Sequence, residues 1–318
     1  MKIYWADREG KPAPDACAFH WRPFAAHLTT TSPIEQALLP APISVKVVKR
    51  TYLPTKEKWM ANVERALDLI RQKALQKVVL ARTCILELSS APDPFAIAAA
   101  LKEKAQGAFL FCLQTDAGAF LGATPERLFA RKGRQVISEA VAGTRRRGRT
   151  LFEDAKLQKE LLFSSKDLRE LSPVCDHLQN ALAPLCTTPL AFTPIAVHQT
   201  QNVQHLYSRC SGKLRPAISD EEILTRLHPT PALCGTPRQK AFSTIQELEP
   251  FERGLYGGTI GWTTPEASEW IVAIRSCLLT GKSATLFSGT GIVEGSDPEK
   301  EWDELNQKLK LYDGILDY

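Results

Sequence analysis

The spacing of apolar residues predicts a helix that is followed directly by a strand. Trp59 and Val63 recur at helical intervals after Pro54-Thr55, where a helix is expected to begin. The nearly uninterrupted apolar run Lys77–Leu88 then predicts a strand. Residues 1–53 are rich in proline and weakly periodic, so we expect irregular structure with short strands there.

Short apolar runs separated by turn signals predict further strands in the middle of the chain and near its end. Turn residues such as Lys132-Gly133-Arg134 separate neighbouring runs, which is typical of antiparallel meanders. The predicted strands are 108–114, 119–122, 127–130, 135–141, 254–262, 268–280 and 283–293.

Three further helices are predicted from periodicity and start signals. One runs from about 152 to 182, one begins near Asp220, and one begins at Ser296-Asp297-Pro298 with proline in its first turn. This order of strands and helices predicts an α+β fold in which antiparallel sheets are covered by helices. No repeat or flexible linker is evident, so we expect 1–318 to form a single domain.

Composition and charge restrict the class of protein. The chain has 318 residues, 44% of them hydrophobic, and can bury a large core. Its net charge of +5 is too small and too dispersed to indicate nucleic-acid binding, and no apolar run is long enough to span a membrane. Eight scattered cysteines and the lack of a signal peptide favour reduced thiols. We therefore expect a soluble, cytoplasmic protein.

Two acidic segments about 130 residues apart attract attention as a candidate metal site. If both are helical, Asp167 and Glu170 lie one turn apart, as do Glu301 and Glu304, with Lys308 one turn further on. Two such faces brought together would form an oxygen-only site suited to a hard divalent cation such as Mg2+. On their own, the segments fit two solvated helix surfaces better than a metal site, since charge runs usually face water.

Two loops have unusual compositions. After a predicted strand, Gly143-Thr144 can present backbone N–H groups and a hydroxyl to an anion, although the adjoining Arg145–Arg147 run also fits a solvated loop or a nucleic-acid patch. Segment 227–237 contains three prolines and a glycine, which predicts a rigid path. Taken alone, His228 fits a hydrogen-bonded structural histidine better than a catalyst.

Together, these motifs resemble those of the chorismate-utilising enzymes, which include isochorismate, salicylate, anthranilate and aminodeoxychorismate synthases. The resemblance covers about 54–310 and implies one α+β domain, with two large antiparallel β-sheets packed together and helices outside. It also implies a longer leading segment than 1–53 provides. The matching motifs are KVVLAR at 77–82, GATPERL at 122–128, AGT at 142–144, KDxxE at 166–170, HPTPAxxG at 228–235, RGxYxGxxG at 253–261, VAIRS at 272–276, GxGIV at 289–293 and SDPxxExxE at 296–304.

Within this family, two positions distinguish the possible reactions. Lys77 matches the lysine that activates water in isochorismate and salicylate synthases, whereas ammonia-using relatives generally lack it. Ala142 stands where aminodeoxychorismate synthases carry a nucleophilic lysine. The resemblance therefore implies Mg2+-dependent isochorismate synthesis. The alternatives are a salicylate synthase, which goes on to eliminate pyruvate, and, more remotely, a non-catalytic regulatory or nucleic-acid-binding protein that uses Arg145–Arg149.

The resemblance also assigns roles to individual residues. Lys77 is expected to take a proton from water, and Glu126 is expected to protonate the hydroxyl that leaves. Glu170 and Glu304 are expected to hold Mg2+, while Asp167 and Glu301 hold its waters or orient its ligands. The residues expected to bind chorismate are Thr144, His228, Tyr256, Arg275, Gly289 and Lys308. We expect a monomer that needs no glutaminase subunit, and the fate of its product in menaquinone, siderophore or salicylate synthesis stays open.

Overall fold

The computed structural model of the protein describes residues 1–26, 29–31, 35–200 and 203–317. Across these residues the chain forms two sheets with nineteen strands in total, seven α-helices and two 3-10 helices. The predicted α+β class and the two large, mainly antiparallel sheets are confirmed. None of the helices in the described ranges combines the length and apolar composition needed to cross a bilayer.

The first sheet contains ten described strands, and its centre is a long antiparallel pair. The two central strands, β6 and β18, are paired from Glu87 and Ser283 at one end to Val78 and Ile292 at the other. In spatial order the strands are β19 (Leu316–Asp317), β5 (Val45–Leu53), β6 (Lys77–Leu88), β18 (Ser283–Ile292), β17 (Ser276–Thr280), β8 (Gly118–Thr124), β7 (Phe109–Thr115), β1 (Lys2–Ala6) and β4 (Glu35–Gln36), while β14 (Gly235–Thr236) pairs with β6.

The second sheet contains nine described strands. Its long pair, β10 and β13, is antiparallel with a register shift between Ala142 and Arg145. In spatial order the strands are β11 (Ala191–Phe192), β13 (Val203–Lys213), β10 (Gln135–Arg146), β9 (Arg127–Lys132), β16 (Ala267–Val272), β15 (Thr259–Thr263), β2 (Ala18–Arg22) and β3 (Thr30–Thr31), while β12 (Ala196–Gln199) pairs with β13.

The helices begin where side chains cap their first free N–H groups. Ser164 accepts a hydrogen bond from the Asp167 N–H at 3.3 Å, and Asp297 accepts one from Lys300 at 3.0 Å. These caps start the two helices that carry the acidic pairs. The helices are α1 (Lys56–Arg71), α2 (Pro94–Lys104), α3 (Leu151–Leu162), α4 (Ser165–Leu182), α5 (Asp220–Leu227), α6 (Arg238–Leu248) and α7 (Pro298–Leu309), with 3-10 turns at Ala183–Leu185 and Lys310–Tyr312.

Apolar side chains pack in three layers. Trp5 and Phe111 from the first sheet meet Ile260 from the second sheet, so the two inner faces are packed together. Helix α4 covers the second sheet through residues such as Leu178, and α2 covers the first sheet through residues such as Ile97. Helices therefore lie outside both sheets, as the resemblance implied.

Several local predictions differ from the structure. The helix predicted from about 152 to 182 is two helices, because the chain leaves the helical path at Phe163-Ser164 and Ser164 caps a new start. Segment 268–280 contributes β16 to one sheet and β17 to the other, with a turn at Arg275 between them. The first 53 residues include a nine-residue strand, β5, and supply strands to both sheets. Strand β13 and helices α2 and α6 were not predicted, and the strand predicted at 254–262 begins only at Thr259 because 254–257 form a turn.

Candidate active site

A cleft lies between the two sheets where β10, β18 and the ends of α4 and α7 come together. It contains about 620 Å3 of atom-free space, part of it open to solvent. Most of the residues proposed from sequence are brought together here. Those that line the cleft are Glu126, Thr144, Glu170, Tyr256, Arg275, Gly289 and Lys308.

Lys77 is the first residue of β6 and is fully buried. Its Nζ donates to the backbone carbonyl of Glu170 at 3.1 Å and lies 3.7 Å from Glu170 Oε1. Burial lowers the pKa of Lys77, although the charges of Glu170 and Glu126 partly oppose this effect. A side-chain carbon at Gly291, which lines the cleft, would lie 2.8 Å from Lys77 Cε. The lysine therefore borders the cleft with its neutral form favoured by burial.

Glu126 lies in the short connection between β8 and β9 and is buried. Its backbone N–H donates to Thr124 Oγ1 at 3.2 Å, which fixes the turn. Burial raises the pKa of Glu126 to about 7, although the positive charge of Lys77 opposes the shift. A carboxyl group with this pKa holds a proton near neutral pH and can give it to a leaving group.

Two glycines of β18 leave room in the floor of the cleft. A side-chain carbon at Gly289 would lie 2.5 Å from the Tyr256 hydroxyl, and one at Gly291 would overlap the Glu170 carboxylate. Tyr256 is held in place by stacking on Phe287, with ring centroids 5.2 Å apart. Tyr256 and Glu170 therefore approach strand β18 closely, and glycine is required at position 289 for the first and at position 291 for the second.

Arg275 occupies the turn between β16 and β17 with a φ of +51°, which is unusual for a residue with a side chain. Its carbonyl accepts a hydrogen bond from the Tyr312 hydroxyl at 3.0 Å, which helps to hold this conformation. The turn lets the chain change sheets and places the guanidinium in the cleft. Strained backbone of this kind is common at functional sites.

His205, on β13, lines the cleft but was not predicted from the sequence. Its Nδ1 lies 2.9 Å from the carbonyl of Gly143, and its Nε2 lies 3.3 Å from an Arg275 nitrogen. Burial lowers the pKa of His205 to about 3, so the ring is neutral. With Nδ1 donating to the carbonyl, Nε2 is left to accept from Arg275. The alternation of apolar Leu206 and Cys210 with polar neighbours could have predicted this strand.

Thr144, on β10, and Lys308, on α7, both line the cleft. The Thr144 hydroxyl lies 3.3 Å from His205 Nδ1. Lys308 Nζ donates to the carbonyl of Gly289 at 2.8 Å and to Glu304 Oε1 at 2.7 Å. Both side chains thus have protein partners and still line the cleft.

Of the two predicted metal ligands, Glu170 is buried and lines the cleft, whereas the side chain of Glu304 is 12% exposed. Glu170 Oε2 accepts from the Gly143 N–H at 3.2 Å. Glu304 Oε1 accepts from Lys308 and, at 3.0 Å, from the Thr290 hydroxyl. Burial disfavours the charged form of Glu304, but the positive charges of Lys308 and Lys166 outweigh it and lower its pKa to about 2. Glu304 therefore favours the ionised form that a metal ligand would need.

The two flanking carboxylates are bound by cations of the protein itself. Arg145 donates two hydrogen bonds to Asp167, of 3.2 and 2.6 Å. Lys166 Nζ lies 2.6 Å from Glu301, and the Thr290 hydroxyl donates to the same carboxylate at 2.6 Å. Both acids are thus held by neighbouring side chains, so a role in holding the waters of a metal ion stays a prediction.

The donor set around Glu170 and Glu304 fits a hard divalent cation. No group of three or more His, Cys, Asp or Glu side chains converges as a metal site within the described ranges, but Mg2+ needs only one or two carboxylates when waters and a bound anion complete its shell. The ammonium of Lys166 contacts Glu301, and its charge also acts on Glu304 and Glu170. A cation of the protein itself thus already compensates these carboxylates.

His228 does not line the cleft, which corrects its expected place in substrate binding. Its ring is buried, with Nε2 3.3 Å from the carbonyl of Phe24 and with the Phe24 ring edge-on at 6.4 Å. Its own carbonyl accepts from Arg238 at 2.7 Å. These contacts give His228 a structural place, as its residue type alone had suggested.

The basic run beside the cleft is largely neutralised by ion pairs. Arg145 pairs with Asp167 at 2.6 Å, Arg147 pairs with Asp154 at 2.7 Å, and Arg146 pairs with Glu153. Three of its arginines are therefore engaged within the protein. This arrangement gives no support to the alternative in which the run binds nucleic acid.

The fold is a two-sheet α+β architecture, and its cleft is lined by an arginine and by a buried carboxyl group with a raised pKa, with a buried amine at its border. A family model described as chorismate binding enzyme matches residues 24–316. The chain therefore belongs to the chorismate-binding enzyme family, and the predicted resemblance is confirmed.

Individual relatives and solved structures agree with this assignment. The chain is 40% identical over 280 residues to isochorismate synthase 2, chloroplastic, of Arabidopsis thaliana, covering 87% of this chain and 50% of that protein. The structure of MenF, the menaquinone-specific isochorismate synthase from Escherichia coli, has a TM-score of 0.84 at 27% identity, covering 96% of this chain and 86% of that one.

A third similar structure is anthranilate synthase component I from Streptococcus pneumoniae, with a TM-score of 0.75 at 27% identity, covering 86% of this chain and 62% of that one. The same fold is therefore found under different enzyme names. The chain spans about half the length of several curated relatives, with 50%, 47% and 54% of their residues covered.

Proposed function

We propose that the protein is an isochorismate synthase that converts chorismate to isochorismate with the help of Mg2+. The observation that carries this proposal is the pairing of Lys77 and Glu126 at one cleft with oppositely displaced proton affinities. Burial lowers the pKa of Lys77 and raises the pKa of Glu126 to about 7. The pair thus combines an amine whose deprotonation is favoured by burial with a carboxyl group whose raised pKa favours its protonated form, and this reaction requires a base and an acid.

In the proposed reaction, water adds at C2 of the ring and the 4-hydroxyl leaves. The Lys77 amine takes a proton from the attacking water, and the Glu126 carboxyl gives its proton to the departing hydroxyl. Two ring double bonds shift between these events, so one water enters and one leaves. Positioned acid and base groups each contribute about 10²–10⁴-fold to such rates.

The dicarboxylate substrate needs cationic partners, and the cleft provides them. Arg275 offers a planar fork that suits a carboxylate, and the Tyr256 hydroxyl lies beside the glycine floor. His205 accepts from Arg275 and so fixes the direction of its guanidinium. Thr144 and Lys308 complete the polar lining.

Glu170 and Glu304 would hold the metal ion, with Lys166 displaced from its present partners. When bound, Mg2+ would neutralise and orient the ring carboxylate of the substrate. In the structure, the protein's own part is to keep Glu304 ionised through Lys308 and to hold Glu170 against the Gly143 N–H.

Lys77 supports water rather than ammonia as the nucleophile. The S. pneumoniae structure named as anthranilate synthase has a similar fold, so the fold alone does not select the reaction. The choice between water and ammonia as nucleophile is therefore argued from Lys77. All eight cysteines are free thiols, which supports action in a reducing compartment such as the cytoplasm, and we propose that the chain acts without a glutaminase subunit.

The direct test is to incubate the purified protein with chorismate and Mg2+ and to separate the products by chromatography. We expect isochorismate, with oxygen from labelled water at C2. Accumulation of fluorescent salicylate and pyruvate would instead support the salicylate synthase alternative. Unchanged chorismate, with or without Mg2+, would contradict the proposal.

A further inference from the structure

A network of buried ion pairs lies behind the loop that carries Glu126. At its centre is Glu139 on β10, whose side chain is 1% exposed. Arg8 donates to Glu139 Oε1 at 3.0 Å and to Oε2 at 2.5 Å, while Arg127 donates to Oε1 at 2.9 Å. One buried carboxylate thus joins two arginines that are far apart in the sequence.

Both arginines also hold the residues on either side of Glu126. Arg8 donates to the backbone carbonyl of Pro125, the residue before the acid. Arg127, the residue after it, pairs with Glu269 on β16 at 2.6 Å. The acid therefore sits between two points that are fixed by charged hydrogen bonds, which are the stronger kind.

Arg8 is itself held in this position by the protein. Its guanidinium lies over the ring of Phe109, 4.8 Å from the centroid, and its side chain is 20% exposed. It comes from the turn after β1, outside the residues 24–316 that the family model matches. The hydrogen bonds of Arg8 to Glu139 and Pro125 therefore come from a segment of this chain outside the region that the family model matches.

We propose that Arg8 and Glu139 are positioning residues that fix where Glu126 lies and how firmly it keeps its proton. This inference rests on the proposed function, because it assumes that Glu126 is the acid of the reaction. Neither residue lines the cleft, so neither is assigned to contact with chorismate.

The charges around Glu126 determine the direction in which each substitution should change its pKa. Glu139 raises the pKa of Glu126, whereas Lys77 from β6, Arg275 from the β16–β17 turn and Lys308 from α7 lower it. Removing the Glu139 charge should therefore make Glu126 release its proton at lower pH.

The surroundings of Glu139 predict the opposite effect for Arg8. Besides Arg8 and Arg127, Glu139 acts on the Tyr207 hydroxyl and on Glu269. Removing the Arg8 cation leaves more of the Glu139 charge uncompensated, so Glu126 should keep its proton to higher pH. Two substitutions in one ion pair thus shift the same group in opposite directions.

The test measures kcat and KM for chorismate against pH in Arg8→Met, Arg8→Lys and Glu139→Gln. For Arg8→Met we expect kcat to fall about tenfold with KM changed by less than about twofold, because the acid moves while the substrate contacts stay. Arg8→Lys should recover part of the loss, since it keeps the charge. The alkaline limb of kcat/KM should move down by on the order of one pH unit in Glu139→Gln and move up in Arg8→Met.

A matched control separates positioning from general stability. Arg131 grips Asp220 with two hydrogen bonds, of 2.7 and 2.9 Å, between β9 and α5. Arg131→Met makes the same change in a similar ion pair and should lower the unfolding temperature without moving the pH profile. Equal shifts in Arg131→Met and Arg8→Met, or an unmoved alkaline limb in Glu139→Gln, would overturn the proposal.

A second measurement keeps this inference separate from the proposed function. Carbon-13 NMR of labelled glutamate carboxyls, with Glu126 assigned by its loss in Glu126→Gln, follows the titration of Glu126 in the unliganded protein. The same opposite shifts are expected there whether or not chorismate is converted. An inactive wild type with shifted titrations would reject the proposed function alone, whereas unshifted titrations in an active wild type would reject only the role of Arg8 and Glu139.

Discussion

The proposed base, Lys77, and the proposed acid, Glu126, are positioned at the cleft by different structural elements. Lys77 is the first residue of a regular strand, and neighbouring residues of that strand pair with β14 and β18. Glu126 lies in a connection between strands, and the residues that secure its loop are Arg8 and Glu139, 118 and 13 positions away by residue number. Backbone pairing in the sheet thus positions Lys77, whereas side-chain contacts position Glu126.

This difference has consequences for how each group can be disturbed. A strand residue keeps its place as long as the ladder keeps its register, so changes at distant side chains should have little effect on Lys77. A loop residue depends on each of its charged contacts. The acid should therefore be the more easily adjusted of the two during evolution or engineering.

The strongest test of the comparison is to remove each group in turn. Lys77→Ala and Glu126→Gln should each lower kcat by about 10²–10⁴-fold, because each supplies one proton transfer. Chorismate binding, measured by calorimetry, should change little, since neither group is assigned to a carboxylate. A variant that keeps most of its turnover would remove that residue from the chemistry.

The double variant adds a check on whether the two groups act as one unit. The combined loss should be much smaller than the product of the single losses. Both single variants should also fail to return isochorismate to chorismate, because the same groups exchange roles in reverse. A fully multiplicative loss would show that the two sites act independently.

Removal of the candidate metal ligands should have the next largest effect. Glu170→Gln and Glu304→Gln should weaken Mg2+ binding by roughly tenfold or more, because each removes one of two carboxylates in the site. Calorimetric titration with Mg2+ in the absence of substrate measures this directly. The control is Glu299→Gln, an exposed carboxylate of the same helix α7 that pairs with Lys56. An equal loss in the control would point to the helix rather than to the site.

Arg275→Lys should have a smaller effect, because it keeps the charge and loses the planar fork. We expect kcat/KM to fall by an amount equivalent to about 1.5–3 kcal/mol, comparable to a charged hydrogen bond. The left-handed backbone at this position is the same for both residues, so the comparison isolates the head group. An unchanged kcat/KM would remove Arg275 from the carboxylate site.

The smallest expected effect concerns stability. Substitutions of Glu126 and of Lys77 should change the free energy of unfolding with opposite dependences on pH. The pKa of Glu126 is about 7 in the folded protein against an ordinary value of 4.5, so folding favours the protonated form and stability falls as pH rises between these values. Glu126→Gln removes this cost and should raise the free energy of unfolding at pH 8 by on the order of 1–3 kcal/mol.

Lys77→Met should show the opposite trend. Burial lowers the pKa of Lys77 in the folded protein, so the cost of burying its charge is greatest at low pH and disappears as pH rises towards 10.5. The stabilisation gained in Lys77→Met should therefore shrink with rising pH, while that of Glu126→Gln grows. Urea unfolding at pH 6 and pH 8 measures both trends, and parallel trends would contradict the assigned protonation states.

The sequence predicted the parts of the fold that rest on local patterns. The strand Lys77–Leu88 and the start of α7 at Asp297-Pro298 were predicted with their observed boundaries, because a buried strand and a capped helix each leave a local signature. The break at Ser164 was missed because helical periodicity continues on both sides of it. Segment 268–280 was predicted as one strand because apolar residues run through the turn.

The candidate site was predictable only to the extent that motifs carry it. Seven of the proposed residues line the cleft, but His205 was missed because it belongs to no motif and its strand was not predicted, although the alternation of Leu206 and Cys210 with polar neighbours is a signal for that strand. Arg8 had no signal at all, since its partners, Pro125 and Glu139, are brought to it only by the packing of the two sheets. Pairing between distant side chains has no local periodicity from which it could be inferred.

Lys166 has a consequence for how the protein matures. Its ammonium already compensates the buried charge near Glu301 and Glu304, so electroneutrality in this corner is met from within the chain. The polypeptide can therefore reach its native state before any ion arrives, unlike small domains that fold only around their metal. The proposed binding of Mg2+ would then replace one cation by another, and it would not have to order a segment of the chain.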